Sequence, residues 1–157
     1  MTNTRFDSAL RQSVLTALEE MFFVCDLEEC DYNAHAPGTE VIMRVDFTGA
    51  PSGWLTLRAG LESIRTLAAD FLGEDESSLG DPEAVEVFAE LANIICGAVL
   101  TRAGSDRIFR LSSPQVVNSE GDSQADAAYA VALTTGPLAV RLQTETSEWS
   151  FDAKLAS

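Results

Sequence analysis

Two groups of residues in this chain have the types and spacing to do chemistry. In the first, Glu86, Glu90, Asn93 and Gly97 follow one another at intervals of four, three and four. At roughly 100° per residue that spacing puts them on one face of a helix. Phe88, Leu91, Ala92, Ile95 and Val99 fall on the opposite side, the side that should pack on the rest of the fold. Asn suits a helix interior poorly because its carboxamide competes for backbone hydrogen bonds. Gly is worse, by about 1 kcal/mol relative to Ala. The plainer reading is a solvated helix face with a glycine that admits a close neighbour. Two unfavourable residues where Lys, Gln or Ala would serve the helix better instead mark Glu90 and Asn93 as the candidate working pair. Glu86 and Gly97 flank them as contact positions.

The second group is Cys25, Cys30 and the single His35. Their C-x4-C-x4-H spacing is looser than common zinc patterns and has no evident fourth ligand, so buried thiols are the better reading and no metal is expected. Residues 75–86 have the outline of a calcium loop, but Leu79 stands where a ligand is needed. The chain has no G-x4-G-K-[ST] loop, G-x-S-x-G elbow or C-x-x-C pair, so nucleotide, serine-hydrolase and dithiol chemistry lack support.

The helix under the first group must run from about residue 81 to 103. Asp81 is expected to cap it, with Pro82 at the first helical position and Gly104 beyond the end. An earlier helix over residues 6–24 is marked by Phe6, Leu10, Val14, Leu18, Met21 and Phe22, and a third spans residues 61–72 and stops at Gly73. Residues 40–47 and 54–59 alternate as strands joined by a hairpin, and residues 108–117, 127–134 and 138–144 read as three more. Gly53-Trp54-Leu55-Thr56-Leu57-Arg58 and Gly136-Pro137-Leu138-Ala139-Val140-Arg141 share G-x-L-x-[LV]-R. The expected architecture is α+β: one antiparallel sheet with two long helices packed on it, duplicated about a pseudo-twofold axis. The whole chain would form a single domain, its halves at about residues 6–73 and 81–145.

A chain of 157 residues and 16.9 kDa suits one domain with a sizeable core. Its formal net charge of −15 would repel phosphate backbones and anionic lipid heads, which argues against nucleic acid and membrane surfaces as partners. The charge remains compatible with a partner that presents lysines or arginines. No apolar run approaches the roughly 20 residues of a membrane span, and the first residues lack the basic-then-apolar layout of a signal peptide. Together with the odd cysteine count these point to the cytoplasm. Exposed sheet edges would allow a homodimer.

Taken in order along the chain, these pieces resemble the CheC/CheX/FliY family of chemotaxis phosphatases, and most of all its CheX branch. Glu90-Leu91-Ala92-Asn93, followed by Ile94-Ile95-Cys96-Gly97, resembles the family's E-x-x-N motif and the small residue after it. Residues 67–73 (LAADFLG) resemble the helix end before the acidic linker, and residues 111–117 (LSSPQVV) the strand after the motif helix. The resemblance implies a bacterial two-component phosphatase that hydrolyses the aspartyl phosphate of a CheY-like response regulator. Asn93 would orient the attacking water and Glu90 would dock on the receiver's lysine. No cofactor would be bound by this chain, and Mg²⁺ would sit on the receiver. A non-catalytic adaptor that binds a receiver or a motor-switch protein is the alternative on the same fold. Aligning Asn93-Ile94-Ile95 with Met21-Phe22-Phe23 puts Leu18 and Met21 where the first helix of a two-site relative would carry Glu and Asn, so one site is expected.

Overall fold

The computed structural model describes residues 4–24, 27–49, 52–104, 108–120 and 125–145. Three helices, α1 (Thr4–Phe22), α2 (Leu61–Leu72) and α3 (Asp81–Ala103), lie against one antiparallel sheet. Its strands are β1 (Glu40–Thr48), β2 (Gly53–Gly60), β3 (Arg110–Leu111), β4 (Gln115–Val117), β5 (Ala127–Leu133) and β6 (Gly136–Thr144). The order is β3-β1-β2-β6-β5, with β4 also on β1. The expected α+β architecture, with two long helices on one antiparallel sheet, is therefore the observed one.

Period-two patterning explains which sheet face is covered. Met43, Val45 and Phe47 of β1, Leu55, Leu57 and Ala59 of β2, Tyr129 and Val131 of β5, and Leu138, Val140 and Leu142 of β6 all point into the core. There they meet Leu10, Val14 and Leu18 from α1 and Phe88, Leu91 and Ile95 from α3. Burying each such side chain contributes roughly 1.5–3 kcal/mol, enough to hold α3 rigid along its length. By length and composition α3 could also cross a membrane, but half of its apolar window lies inside this fold.

The repeated G-x-L-x-[LV]-R segments sit on adjacent central strands. Leu57 and Val140, which occupy the same motif position, are direct cross-strand partners, so a local twofold axis passes between them. The outer edges are exchanged between halves. Residues 28–30, which follow α1, bond to the edge of β5 through Cys30 N–H to Ala130 O and Ala132 N–H to Glu28 O, both at 2.9 Å. The segment that follows α3 supplies β3 and β4 to the edge of β1.

Some local expectations need correction. Gly80, not Asp81, is the N-cap of α3. The Glu83 carboxylate accepts from the Gly80 N–H, while Asp81 turns away to accept from Arg65 Nη1 at 2.6 Å. The strand expected over residues 108–117 breaks into β3 and β4, because Ser112 bonds back to β1 through both backbone and side chain just before Pro114. A proline has no amide to give a ladder. Gly73 does stop α2, at φ 67°, with its N–H on Ala69 O.

The outer face of the sheet holds a buried charge. Arg58 is 3% exposed. It donates to Tyr32 O at 2.6 Å, pairs with Glu120 Oε1 at 3.2 Å and lies 3.6 Å from Glu40 Oε2. His35 Nδ1 lies 2.6 Å from Arg58 Nη1 and 2.8 Å from Glu40 Oε1, and can serve only one of them at a time. The Tyr32 hydroxyl donates to Glu120. A guanidinium with no partners would be expensive here, and this set of acceptors is what allows it. The network ties the α1–β1 connection and the segment around Glu120 to the sheet, on the face away from the helices.

Candidate functional site

Because the Phe88, Leu91 and Ile95 side of α3 is spent on the core, the opposite side is presented outward. Phe88 is 2% exposed and Leu91 and Ile95 are fully buried, whereas Glu86 and Glu90 are exposed and Asn93 and Gly97 are half-buried. The structure thus brings all four stripe residues to one accessible face. Neither the Glu90 nor the Asn93 side chain forms a hydrogen bond or ion pair with any of the described residues. Asn93 is thus a carboxamide on a rigid helix with its donors and acceptor uncommitted. Residues one turn apart on a helix place their Cβ atoms ≈ 5–6 Å from each other, so one ligand can meet both.

Gly97 is not required by the packing of its own chain. A Cβ placed there would meet nothing nearer than Leu111 Cδ2 at 4.0 Å. Its carbonyl is held by Thr101 Oγ1 at 2.9 Å, and it opens onto a cleft of about 340 Å³ floored by Leu100, Phe109 and Leu111. Glu86 and Glu90 open on the other side, into a groove of about 690 Å³ between α3 and the ends of α1 and α2. Burial, with the charge of Asp46 adding, pushes the Cys96 thiol up to about 12, so it is no nucleophile beside the stripe.

The second group of candidate residues is not assembled into a site. Cys25 lies outside the described residues, Cys30 is a half-buried free thiol, and His35 is engaged with Arg58 and Glu40. Among the described residues no three His, Cys, Asp or Glu side chains are grouped to hold a metal ion.

The first helix differs from expectation. Leu18 is fully buried, so it cannot be the counterpart of exposed Glu90. Shifting α1 by 78 places its buried residues, Phe6, Ala9, Leu10, Ser13, Val14, Ala17, Leu18 and Phe22, onto buried positions of α3. Gln12 and Leu15 then stand where Glu90 and Asn93 do, so α1 still lacks an E-x-x-N pair. Met21, expected in the core, is half-buried and lines the groove beside Glu90 with Phe71 and Leu72 from the end of α2.

An antiparallel sheet with exchanged edges, two long helices along one face, and a Glu–Asn pair turned outward from the second define the architecture of chemotaxis proteins of the CheC and CheX type. The family model described as chemotaxis phosphatase CheX matches residues 41–134, and the chain belongs to that family. Among solved structures, the CheX of the CheX–CheY–BeF3–Mg²⁺ complex from Borrelia burgdorferi is similar over 90% of this chain and 98% of its own, with TM-score 0.68 and 18% identity. A CheC-like protein from Shewanella reaches TM-score 0.71 at 18% identity over 92% of this chain and all of its own. FliY from Thermotoga maritima reaches 0.59 at 12% identity, over 92% of each chain. At such identities the likeness is one of fold. No curated protein matches the chain significantly.

Proposed function

We propose that this chain is a phosphatase that hydrolyses the aspartyl phosphate of a CheY-like response regulator in chemotaxis or related two-component signalling. The observation that carries this reading is the uncommitted Glu90–Asn93 pair, exposed on a helix whose other face is fixed in the core. The Borrelia relative, crystallised with CheY, beryllofluoride and Mg²⁺, supports the choice of partner.

The receiver's Mg²⁺ and lysine would neutralise charge on the phosphoryl group, so this chain need bring neither metal nor nucleophile. Glu90 docks on the receiver lysine through a charge-assisted hydrogen bond. The Asn93 oxygen accepts from a water and holds it in line with phosphorus without adding a full negative charge beside the phosphoryl oxygens. Water then forms the new P–O bond as the bond to the aspartyl oxygen breaks, releasing inorganic phosphate and a free carboxylate. Glu86 and the bare backbone at Gly97 frame the contact. All four residues come from one helix, so a second copy is not needed to complete the site. On this reading the protein works in the cytoplasm, where such receivers act.

The test is phosphate release from phosphorylated receiver domains of the same organism, with wild type and with Asn93→Ala. Accelerated release that Asn93→Ala abolishes is expected. Receiver binding with no acceleration would make the chain an adaptor instead.

A further inference from the structure

The groove beside Glu90 has a composition that the fold does not explain. Its floor includes Phe71 and Leu72, which are 40% and 45% exposed although they are large apolar side chains. Phe71 leans on Phe22 with ring centroids 5.5 Å apart, so its exposed surface is held in place. The rim carries Glu74, Glu83, Glu86 and Glu90, and among the described residues no Lys, Arg or His lines the groove. Glu83, Glu86 and Glu90 repeat at i, i+3 and i+4 spacings, where like charges destabilise a helix. Glu83 gains from its position in the first turn and from the Gly80 N–H, but Glu90, mid-helix, has no such compensation. Arg65, a cation on α2, is already taken by Asp81 and the Glu76 carbonyl.

We infer that this groove is a docking site for a basic segment of the partner receiver, one that presents an apolar side chain flanked by lysines or arginines. The inference rests on the reading that Glu90 and Asn93 meet a receiver domain, and extends it to what selects that receiver. The apolar anchor sits on Phe71, Leu72 and Met21, and the flanking cations reach Glu74 and Glu86. An uncharged apolar segment would leave the glutamates desolvated and unpaired, and an acidic one would be repelled. Glu90 itself lines the groove, so a segment lying in it is continuous with the receiver lysine that Glu90 contacts.

Glu74→Lys and Leu72→Ser test this, since both positions are exposed and neither belongs to the stripe. The measurements are the Kd for a beryllofluoride-loaded CheY-like receiver, and KM and kcat for phosphate release from the same receiver phosphorylated by a small-molecule donor. For each variant Kd and KM should rise roughly 3–10-fold with kcat held, and Glu74→Lys should also flatten the salt dependence of Kd. If wild type binds the loaded receiver and both variants bind within twofold of it, the groove proposal falls and the phosphatase reading stands. Binding that is weakened by the variants, with no turnover even in wild type, would keep the groove and remove the phosphatase reading. Self-association that is abolished by Glu74→Lys would assign the groove to a second copy and overturn the proposal, as would a wild type that binds no loaded receiver.

Discussion

Gly97→Ala should stabilise this protein and impair it. Glycine in a helix interior is about 0.8–1.0 kcal/mol worse than alanine, and the difference is recovered on substitution only if the new methyl group has room. It does, because the closest atom to a Cβ at this position is Leu111 Cδ2, at the ordinary contact distance of 4.0 Å. For a chain of this size about 1 kcal/mol raises Tm by roughly 2–4 °C. The same methyl group would stand on the surface proposed to meet the receiver and, on that reading, hold the receiver's backbone away from Asn93. Because displacements near 1 Å can cost on the order of 10²-fold in rate, a loss of roughly 10–100-fold in kcat/KM is expected. Thermal unfolding and phosphate release on one preparation measure both effects. A lower Tm would show that the space around Gly97 is not open. A higher Tm with wild-type activity would show that the glycine does not serve docking.

Other substitutions separate the remaining parts. Asn93→Ala should lower kcat roughly 10²–10³-fold with little change in receiver affinity, because its contribution arises mainly in the transition state, and its Tm should not fall, since no hydrogen bond within the described residues is lost. Glu90→Ala should weaken receiver binding, and the difference from wild type should shrink as salt screens the pair. Leu91→Ala, at a fully buried position, should cost about 2–5 kcal/mol of stability in chemical denaturation. Burial by itself would raise the pKa of Glu40, but the Ala36 N–H, His35 and Arg58 together hold it below the ordinary 4.5. A depressed folded pKa gives stability that is present above about pH 4.5 and is lost as pH falls through the lower folded value, so Glu40→Gln should flatten the acid limb of the stability profile in that window.

Local signals were enough for the elements that carry the pair. The apolar spacing of α3, Pro82 near its start and Gly104 past its end place Glu90 and Asn93 outward before any tertiary contact is known. Alternation likewise assigns inner faces to β1 and β2. What escaped depends on partners distant in sequence. Arg58 reads as an exposed strand residue until Tyr32 and Glu120, 26 and 62 positions away, are brought over it. Phe71 has the periodicity of a core residue, yet it lies in the last turn of α2, partly exposed at the groove. The cap of α3 moved by one residue because Arg65 competes for the Asp81 carboxylate, a contact with no local signature.

The exchange of edges has a consequence for how the chain is made. During synthesis α1, β1, β2 and α2 leave the ribosome first, but β1 lacks its outer neighbours and β2 lacks β6 until residues 110–144 have been produced. Residues 28–30 likewise lack their partner until β5, which ends at Leu133, has been made. A nascent chain stopped after Gly73 would therefore carry two unpaired strand edges and half of a core, the condition that invites mispairing and capture by chaperones. Pulse proteolysis of stalled chains should find no resistant N-terminal fragment. Resistance should appear all at once, after β6 has cleared the exit tunnel.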